Sequence, residues 1–403
     1  MEYFAGSDQY CKLKVLILTN RIPYPLNDGG NIATQRIIDL YKQLGYEVVM
    51  LALNPVKHYQ NPAILNDLGK IITVDINTEV TPWGLIRGLI EKFPYNVKRF
   101  YSTDYAKKLA ELLSENSFHI IQSEGPYMGM YLSSIRHNTN AIFMLRAHNI
   151  ENEIWSRVRG KEKNFFKRWY LTKLTPKIAA YEEKILGIYD AILSISERDA
   201  HSFKKMNGKN IFVLPPSIDL HDYNVTKENR PLNWCFIGSL EWIPNLQGLE
   251  WFISAVWPDL SHNFPLLTLD IAGKNPPFWL SNLNIPGIRV IGEVPDASQF
   301  MNNYNVLVAP LLSGGGIRIK ILEAMAMQMT VISTTIGAEG IPSTHRENIL
   351  IADKVADYIQ VAEDLSKGTT QTLKIGLAAR LLISKYFEKA VILENFKRFL
   401  DQL

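Results

Sequence analysis

Apolar residues in this chain come in short, nearly unbroken blocks, and between the blocks they recur every three or four positions. The first blocks lie at 13–19, 48–53, 70–74, 119–122, 142–147 and 191–195. Runs this short without polar alternation predict strands buried on both faces, as in a parallel sheet. Between the first two, Ile32, Ile37, Ile38, Tyr41 and Leu44 keep helical spacing up to Gly45, a helix-ending residue. The polar stretch 224–233 follows, and the pattern then restarts with blocks at 234–237, 266–271, 289–291, 306–309, 330–333 and 349–351. Over 245–257, Leu246, Leu249, Phe252, Ile253 and Val256 share one helical face. Strands alternating with helices, twice over, predict two α/β halves enclosing a cleft.

Length supports that division, because 403 residues exceed what one core normally holds. The formal net charge of +3 gives no basis for a nucleic-acid binder. Cys11 and Cys235 form no CxxC pair, so neither a disulfide framework nor a structural zinc is expected. The first residues, Met1 to Asp8, lack a basic region followed by an apolar core, and no apolar run is long enough to span a bilayer. A cytoplasmic protein is the expectation. One segment departs from the even charge balance: Arg157, Arg159, Lys161, Lys163, Lys167, Arg168, Lys173 and Lys177 alternate with Phe165, Phe166, Trp169 and Tyr170. It reads as a long surface helix packing its aromatic face on its own domain, or as a patch docking on an anionic membrane.

The strongest chemical signal is Ser313-Gly314-Gly315-Gly316-Ile317-Arg318-Ile319-Lys320, which follows the apolar run 306–310 and opens a helical pattern. Glycines let backbone N–H groups approach a ligand closely, and a helix N-terminus adds unpaired donors and a positive dipole end. Arg318 contributes a planar fork and Lys320 a mobile charge, a combination suited to phosphate. Glu323, a turn or so on, is placed to accept hydrogen bonds from a sugar or ribose diol. The alternative is an ordinary strand–helix turn with surface cations. A nicotinamide site is not supported, because Thr19-Asn20-Arg21-Ile22-Pro23 stands where GxGxxG would be and the triple glycine has the wrong spacing. A GxxxxGK[ST] phosphate loop is also missing from the sequence.

Taken in order, several segments resemble the GT-B-fold retaining glycosyltransferases that use nucleotide-diphosphate sugars, the glycosyl transferases of group 1. They are the Pro-rich, Gly-Gly loop at 23–30, Ala147-His148-Asn149-Ile150-Glu151, Ser194-Ile195-Ser196-Glu197, Pro215-Pro216-Ser217-Ile218-Asp219 and Phe236-Ile237-Gly238-Ser239-Leu240. Ile271-Ala272-Gly273-Lys274, Val290-Ile291-Gly292-Glu293-Val294, Ile321-Leu322-Glu323-Ala324-Met325-Ala326 and the run 331–340 complete the set. The resemblance spans essentially the whole chain. It implies two Rossmann-like α/β/α domains with a deep interdomain cleft: an acceptor-binding domain at 1–215, a nucleotide-sugar-binding domain at 216–385, and a C-terminal crossover helix at 386–403 packing back toward the first domain.

The resemblance also implies roles. His148 matches the active-centre histidine near the transferred sugar, and Gly29 and Gly30 approach the donor diphosphate. Gly238 lies at the end of the first strand of the second domain, Gly292 and Val294 shape the nucleobase pocket, and Glu323 holds the ribose. The implied reaction moves a sugar to an acceptor hydroxyl with retention, without cofactor or bound metal, in surface-polysaccharide or glycan biosynthesis. The acceptor is a saccharide or a lipid-linked saccharide, with peripheral contact through 157–177 at the inner face of the cell membrane. Two departures stand out. Gly315 occupies the place of a first carboxylate eight residues before Glu323, and Ser239 follows Gly238 where relatives carry an arginine. Arg318 and Lys320, with the amides of Gly314, Gly315, Gly316 and Ile317, are expected to restore the missing positive charge, while the first carboxylate is simply absent. A nucleotide-sugar epimerase of the same fold, or a catalytically silent carbohydrate-binding or scaffold protein, are the competing readings.

Overall fold

A computed structural model describes residues 13–25, 29–61, 70–91, 93–223, 225, 233–314, 316–367 and 369–403. Residues 1–8, Cys11, positions 26–28 of the Pro-rich loop, nearly all of the polar stretch 224–233, and Gly315 lie outside them.

The chain divides into two compact units. The first takes in the described residues of Met1–Ser194, Asp199–Val213 and Asp401–Leu403; the second comprises Ile195–Arg198 and Leu214–Leu400. Seven parallel strands build the first sheet: β1 (Lys14–Thr19), β2 (Glu47–Pro55), β3 (Lys70–Ile76), β4 (Ile120–Glu124), β5 (Ile142–Ala147), β6 (Ala191–Ser194) and β7 (Ile211–Val213). Their spatial order is β3-β2-β1-β4-β5-β6-β7. Val15, Leu16, Ile17 and Leu18 of β1 are fully buried, consistent with a strand covered on both faces. β7 has too few residues to show a pattern in the sequence, and it enters the sheet through Asn210, which adopts a positive φ.

The second sheet is also parallel. It contains β8 (Trp234–Ile237), β9 (Leu269–Ala272), β10 (Ile288–Gly292), β11 (Val306–Ala309), β12 (Thr330–Ser333) and β13 (Leu350–Ile351), in the order β10-β9-β8-β11-β12-β13. Each sheet therefore reverses its winding once, between β1 and β4 and between β8 and β11. Such a reversal leaves a crevice at the carboxyl ends of the two strands, where open α/β sheets bind ligands.

Two predicted helices differ in detail. The helix expected at 245–257 runs as Ile243–Trp251, a π-helical turn at Phe252–Val256, and Trp257–Asn263. Pro258 has no N–H to donate to the carbonyl four residues back, and the wider turn accommodates it. The single basic helix expected over 157–177 is two helices, Glu151–Lys161 and Phe165–Leu186. Asn164 starts the second, its side chain accepting from the Lys167 amide at 3.1 Å. Within the second unit, Pro215–Asp219 meets the start of the last helix, Lys389–Leu400: the Ile218 amide donates to Phe387 O at 2.7 Å, and the Lys389 amide donates to Ile218 O at 2.9 Å.

Candidate active site

In the first unit, the carboxyl ends of β1, β2 and β4 open into a cavity of about 610 Å³. Thr19, Pro55, Glu124 and Tyr127 line it, together with Gly30, Arg99, His148 and Glu151. At its floor stands Glu124, which ends β4, paired with the one charged residue of the otherwise apolar β5. The parallel register sets Glu124 of β4 beside Arg146 of β5, and Arg146 Nη1 donates to Glu124 Oε2 at 2.9 Å. Both side chains are buried. Gln122 Nε2 donates to the other carboxylate oxygen at 2.6 Å and is itself tied to Tyr41, whose hydroxyl donates to Gln122 Oε1 at 2.7 Å. Thr34 Oγ1, on the helix Gly29–Gln43, lies 3.2 Å from Glu124 Oε2.

His148 completes this network from the loop after β5, its Nε2 standing 2.8 Å from Glu124 Oε2. Burial alone would raise the Glu124 pKa, but the Arg146 charge and the hydrogen bonds from His148 and Arg146 bring it down to about 2. The group is therefore a carboxylate at neutral pH and can only accept. Nε2 of His148 must then carry a proton, and in the neutral form of the ring this leaves Nδ1 as an acceptor. A part-exposed imidazole with this tautomer can receive a hydrogen bond from a sugar or acceptor hydroxyl in the cavity. Beside it, the Tyr127 hydroxyl donates to Glu151 Oε2 at 2.7 Å. Glu182 closes the start of the helix Glu151–Lys161, accepting from the backbone amides of Glu151 and Asn152 at 2.9 and 3.2 Å. Burial pushes the Glu182 pKa up to about 7.

In the second unit, the Gly-rich loop leaves β11 and leads to the helix Ile319–Ala326. Gly314 and Gly316 have φ of 110° and 78°, backbone that side chains rarely tolerate. The helix does not begin at the glycines: Ile317 and Arg318 intervene, and Arg318 is its N-cap residue. Arg318 is buried, its guanidinium lies 5.6 Å from the centre of the Trp242 ring, and Nη1 donates to Gly316 O. Lys320 Nζ donates to Asn245 Oδ1 at 3.0 Å and stands 4.1 Å from the centre of the Phe236 ring. Burial, with the Arg318 charge second, lowers the Lys320 pKa to about 7.

Gly238 belongs to the same group. A Cβ there would lie 3.0 Å from Lys320 Nζ and 2.8 Å from Asn245 Nδ2. Gly238 directly follows β8, Lys320 reaches the Phe236 ring of that strand, and a Cβ on Gly314 would meet both Arg318 and Trp242, so these glycines and both cations gather at that sheet's reversal point. Glu323 accepts from the Tyr223 hydroxyl at 3.1 Å. Gly292 ends β10 with φ of 80°, and its carbonyl accepts from the Gly273 amide at 2.7 Å. Val294 and Ile317 are half-buried against one and the same core.

The structure thus collects Gly30 and His148 at the first cavity, with Gly29 adjoining it in sequence, and Gly238, Gly314, Gly316, Arg318 and Lys320 at the second sheet. The sequence reading missed Glu124, Arg146, Thr34, Trp242 and Asn245. Arg146 had a visible signal, as the lone charge in an apolar strand, and Glu124 a weaker one at the end of a strand that also carries Gln122 and Ser123; Trp242 and Asn245 had none. Three isolated aspartates serve as caps or ion-pair partners: Asp219 accepts from the His221 amide, Asp296 from the Gln299 amide, and Asp270 pairs with Arg289. Among the described residues, no group of three or more His, Cys, Asp or Glu could hold a metal ion. No helix among them is long and apolar enough to cross a membrane.

Residues 231–367 match the family described as glycosyl transferases group 1. An uncharacterised 44.6 kDa protein in the cps region of Klebsiella pneumoniae is 25% identical over 405 residues, covering 95% of this chain and 99% of that protein. Among solved structures, sucrose-phosphate synthase from Thermosynechococcus elongatus superposes with a TM-score of 0.72 at 12% identity, covering 97% of this chain and 99% of that one. HepE of Anabaena, solved in complex with UDP and glucose, gives 0.68 at 12% identity, with 97% and 100% covered. A pneumococcal O-GlcNAc transferase, GtfA, in complex with UDP and GlcNAc gives 0.68 at 12% identity, with 98% and 99% covered. The chain is a two-domain protein of the GT-B glycosyltransferase fold whose residues 231–367 match the glycosyl transferases group 1 family.

Proposed function

We propose that this protein is a retaining, metal-independent glycosyltransferase that moves a sugar from a nucleotide-diphosphate donor to an acceptor hydroxyl. The observation that carries the proposal is the pair of cations, Arg318 and Lys320, packed beside the positive-φ glycines where the second sheet reverses. In this reading the second unit holds the donor. Arg318, Lys320 and the loop amides of Gly314, Gly315, Gly316 and Ile317 take the diphosphate, Gly238 allows close approach, Glu323 takes the ribose diol, and Gly292 and Val294 border the base. As the glycosidic bond breaks, negative charge grows on the departing phosphate, where fixed cations stabilise it most. They restore the positive charge missing at Ser239; the carboxylate missing at Gly315 has no replacement here.

The first unit holds the acceptor in its cavity. His148, oriented by Glu124, accepts a hydrogen bond from an acceptor hydroxyl in that cavity, which Gly30 also lines. The match to a cps-region protein supports a role in surface-polysaccharide or glycan biosynthesis, and the UDP complexes of HepE and GtfA support a nucleotide-linked donor; a cytoplasmic location belongs to the same proposal. Calorimetric titration of uridine, guanosine and thymidine diphosphates tests the donor half. Arg318→Ala should weaken the best-bound nucleotide roughly 10- to 150-fold, the loss of one charge-assisted hydrogen bond. Unchanged affinity in a folded variant would remove Arg318 from the diphosphate site.

A further inference from the structure

The helix Pro82–Ile90 in the first unit is built inside out. Its small residues face the protein: a Cβ on Gly84 would fall 2.2 Å from the Tyr95 ring, and one on Gly88 would fall 2.5 Å from Tyr95 Cβ. Its large apolar residues face away, with Trp83, Ile86 and Ile90 exposed by 76%, 52% and 83%. A surface helix of a globular protein normally shows the opposite arrangement. Nor is it a loose appendage. Thr81 Oγ1 accepts from the Gly84 amide at 3.1 Å at its start, and at its end Lys177 Nζ donates to Gly88 O, Leu89 O and Glu91 O at 2.9, 2.6 and 2.7 Å.

Lys177 belongs to the helix Phe165–Leu186, so those three bonds fasten the two elements together. The second helix is anchored by buried Leu171, Leu174 and Ile178, while its first turns leave Phe165, Phe166 and Trp169 exposed by 75%, 78% and 50%. Exposed cations accompany both elements: Arg87 on the first, and Lys163, Lys167, Arg168 and Lys173 on or beside the second. Nearby acids are fewer: Glu162 is the one acid among the eight cations of 157–177, and Glu91 pairs with Lys98 at 2.7 Å and with Arg87 at 3.9 Å. Fixed aromatic and aliphatic side chains set among an excess of exposed cations match the chemistry of a bilayer interface, where apolar groups enter the acyl boundary and cations meet headgroup phosphates.

We propose that the helices Pro82–Ile90 and Phe165–Leu186 together form a docking surface for an anionic lipid bilayer. The surface is wider than the basic segment 157–177 taken alone, because the apolar contribution comes equally from the glycine-seated helix before it. Thr78, Glu79 and Val80 line the cavity of the first unit and lead directly into that helix. Bilayer contact therefore lies beside the cavity, where an amphiphilic molecule could pass from one to the other.

Co-sedimentation of the full chain with phosphatidylglycerol/phosphatidylethanolamine vesicles tests the proposal, with phosphatidylcholine vesicles as the neutral comparison. The native chain should partition onto the anionic vesicles and much less onto the neutral ones, with binding falling as salt rises. Trp83→Ser/Phe165→Ser/Phe166→Ser should lower partitioning about tenfold or more. Should that variant not fold, Lys163→Gln/Lys167→Gln/Arg168→Gln keeps the test open; about 1 kcal/mol per cation predicts a loss on the order of 100-fold at low salt. Absent binding by the native chain, or native-like binding by a folded variant of either kind, overturns the proposal. So does self-association that these substitutions abolish without any vesicle binding, which would make the surface a contact between copies of this chain.

Discussion

Lys320→Met removes a cation that costs the empty protein stability and that the donor would require. The ammonium is enclosed by the buried Phe236 ring and buried Asn245, and its pKa falls from 10.5 to about 7. The unfolded chain holds this proton up to about 10.5, whereas the folded chain releases it near 7. Between those values the unfolded state binds more protons, so native stability climbs with pH across that window. At and below pH 7 the penalty is fully present, with a ceiling of about 5 kcal/mol. Lys320 as a whole is part-exposed, so water screens the charge and roughly half of that is a realistic figure. Loss of the bond to Asn245 opposes the gain by about 1 kcal/mol. Urea unfolding should find the Met variant about 1–2 kcal/mol more stable than the native chain at pH 7, with the advantage gone by pH 10. Nucleoside diphosphate affinity should fall about tenfold in the native chain between pH 7 and 8.5, because binding must return the proton, and should be weak and pH-insensitive in the variant. A stability difference that does not change with pH, or parallel pH dependence of nucleotide binding in both proteins, would refute the reasoning.

Glu124→Gln leaves the buried Arg146 without its counter-charge and should destabilise the protein by about 3–5 kcal/mol at pH 7. Because the native carboxylate pKa lies near 2 instead of 4.5, its stabilisation is complete above about pH 4.5 and lost as pH falls toward 2. The gap between native and variant in urea unfolding should narrow by about 2 kcal/mol at pH 3, and a constant gap would contradict the charge assignment. His148→Ala should reduce transfer about tenfold or more while nucleotide Kd stays within about twofold, as expected for a group acting at the reacting centre; the reverse pattern would place it elsewhere. Gly248→Ala puts a Cβ 2.3 Å from the Pro310 carbonyl, a backbone contact that cannot give cheaply. Chemical denaturation should show a net loss of about 1–3 kcal/mol despite the better helix propensity of alanine, and a stabilised variant would disprove the clash.

The two-sheet architecture was legible because both sheets are parallel and buried on both faces, which turns strands such as Lys14–Thr19 and Val306–Ala309 into uninterrupted apolar runs. The Gly-rich loop was legible because its glycines, Arg318 and Lys320 are contiguous in sequence. The environment of those cations was not: Trp242 and Asn245 reach Arg318 and Lys320 only when β8 and β11 become neighbours across a long stretch of sequence. His148 was found, but the reason for its orientation was not, since Glu124 meets it through the register of two strands. The helix Pro82–Ile90 stayed hidden for a different reason. Its amphipathic pattern gives no sign of which face meets the protein; Tyr95 against Gly84 and Gly88 decides that.

Acceptor-dependent release of nucleotide from a panel of uridine, guanosine and thymidine diphosphate sugars, offered with saccharide and lipid-linked saccharide acceptors, tests the transferase assignment most directly. The account predicts that one donor is consumed only when an acceptor is present, that the new linkage keeps the donor's anomeric configuration, and that a metal chelator leaves the rate unchanged. Donor epimerised without any acceptor, or donor bound across the whole panel without turnover, would contradict it.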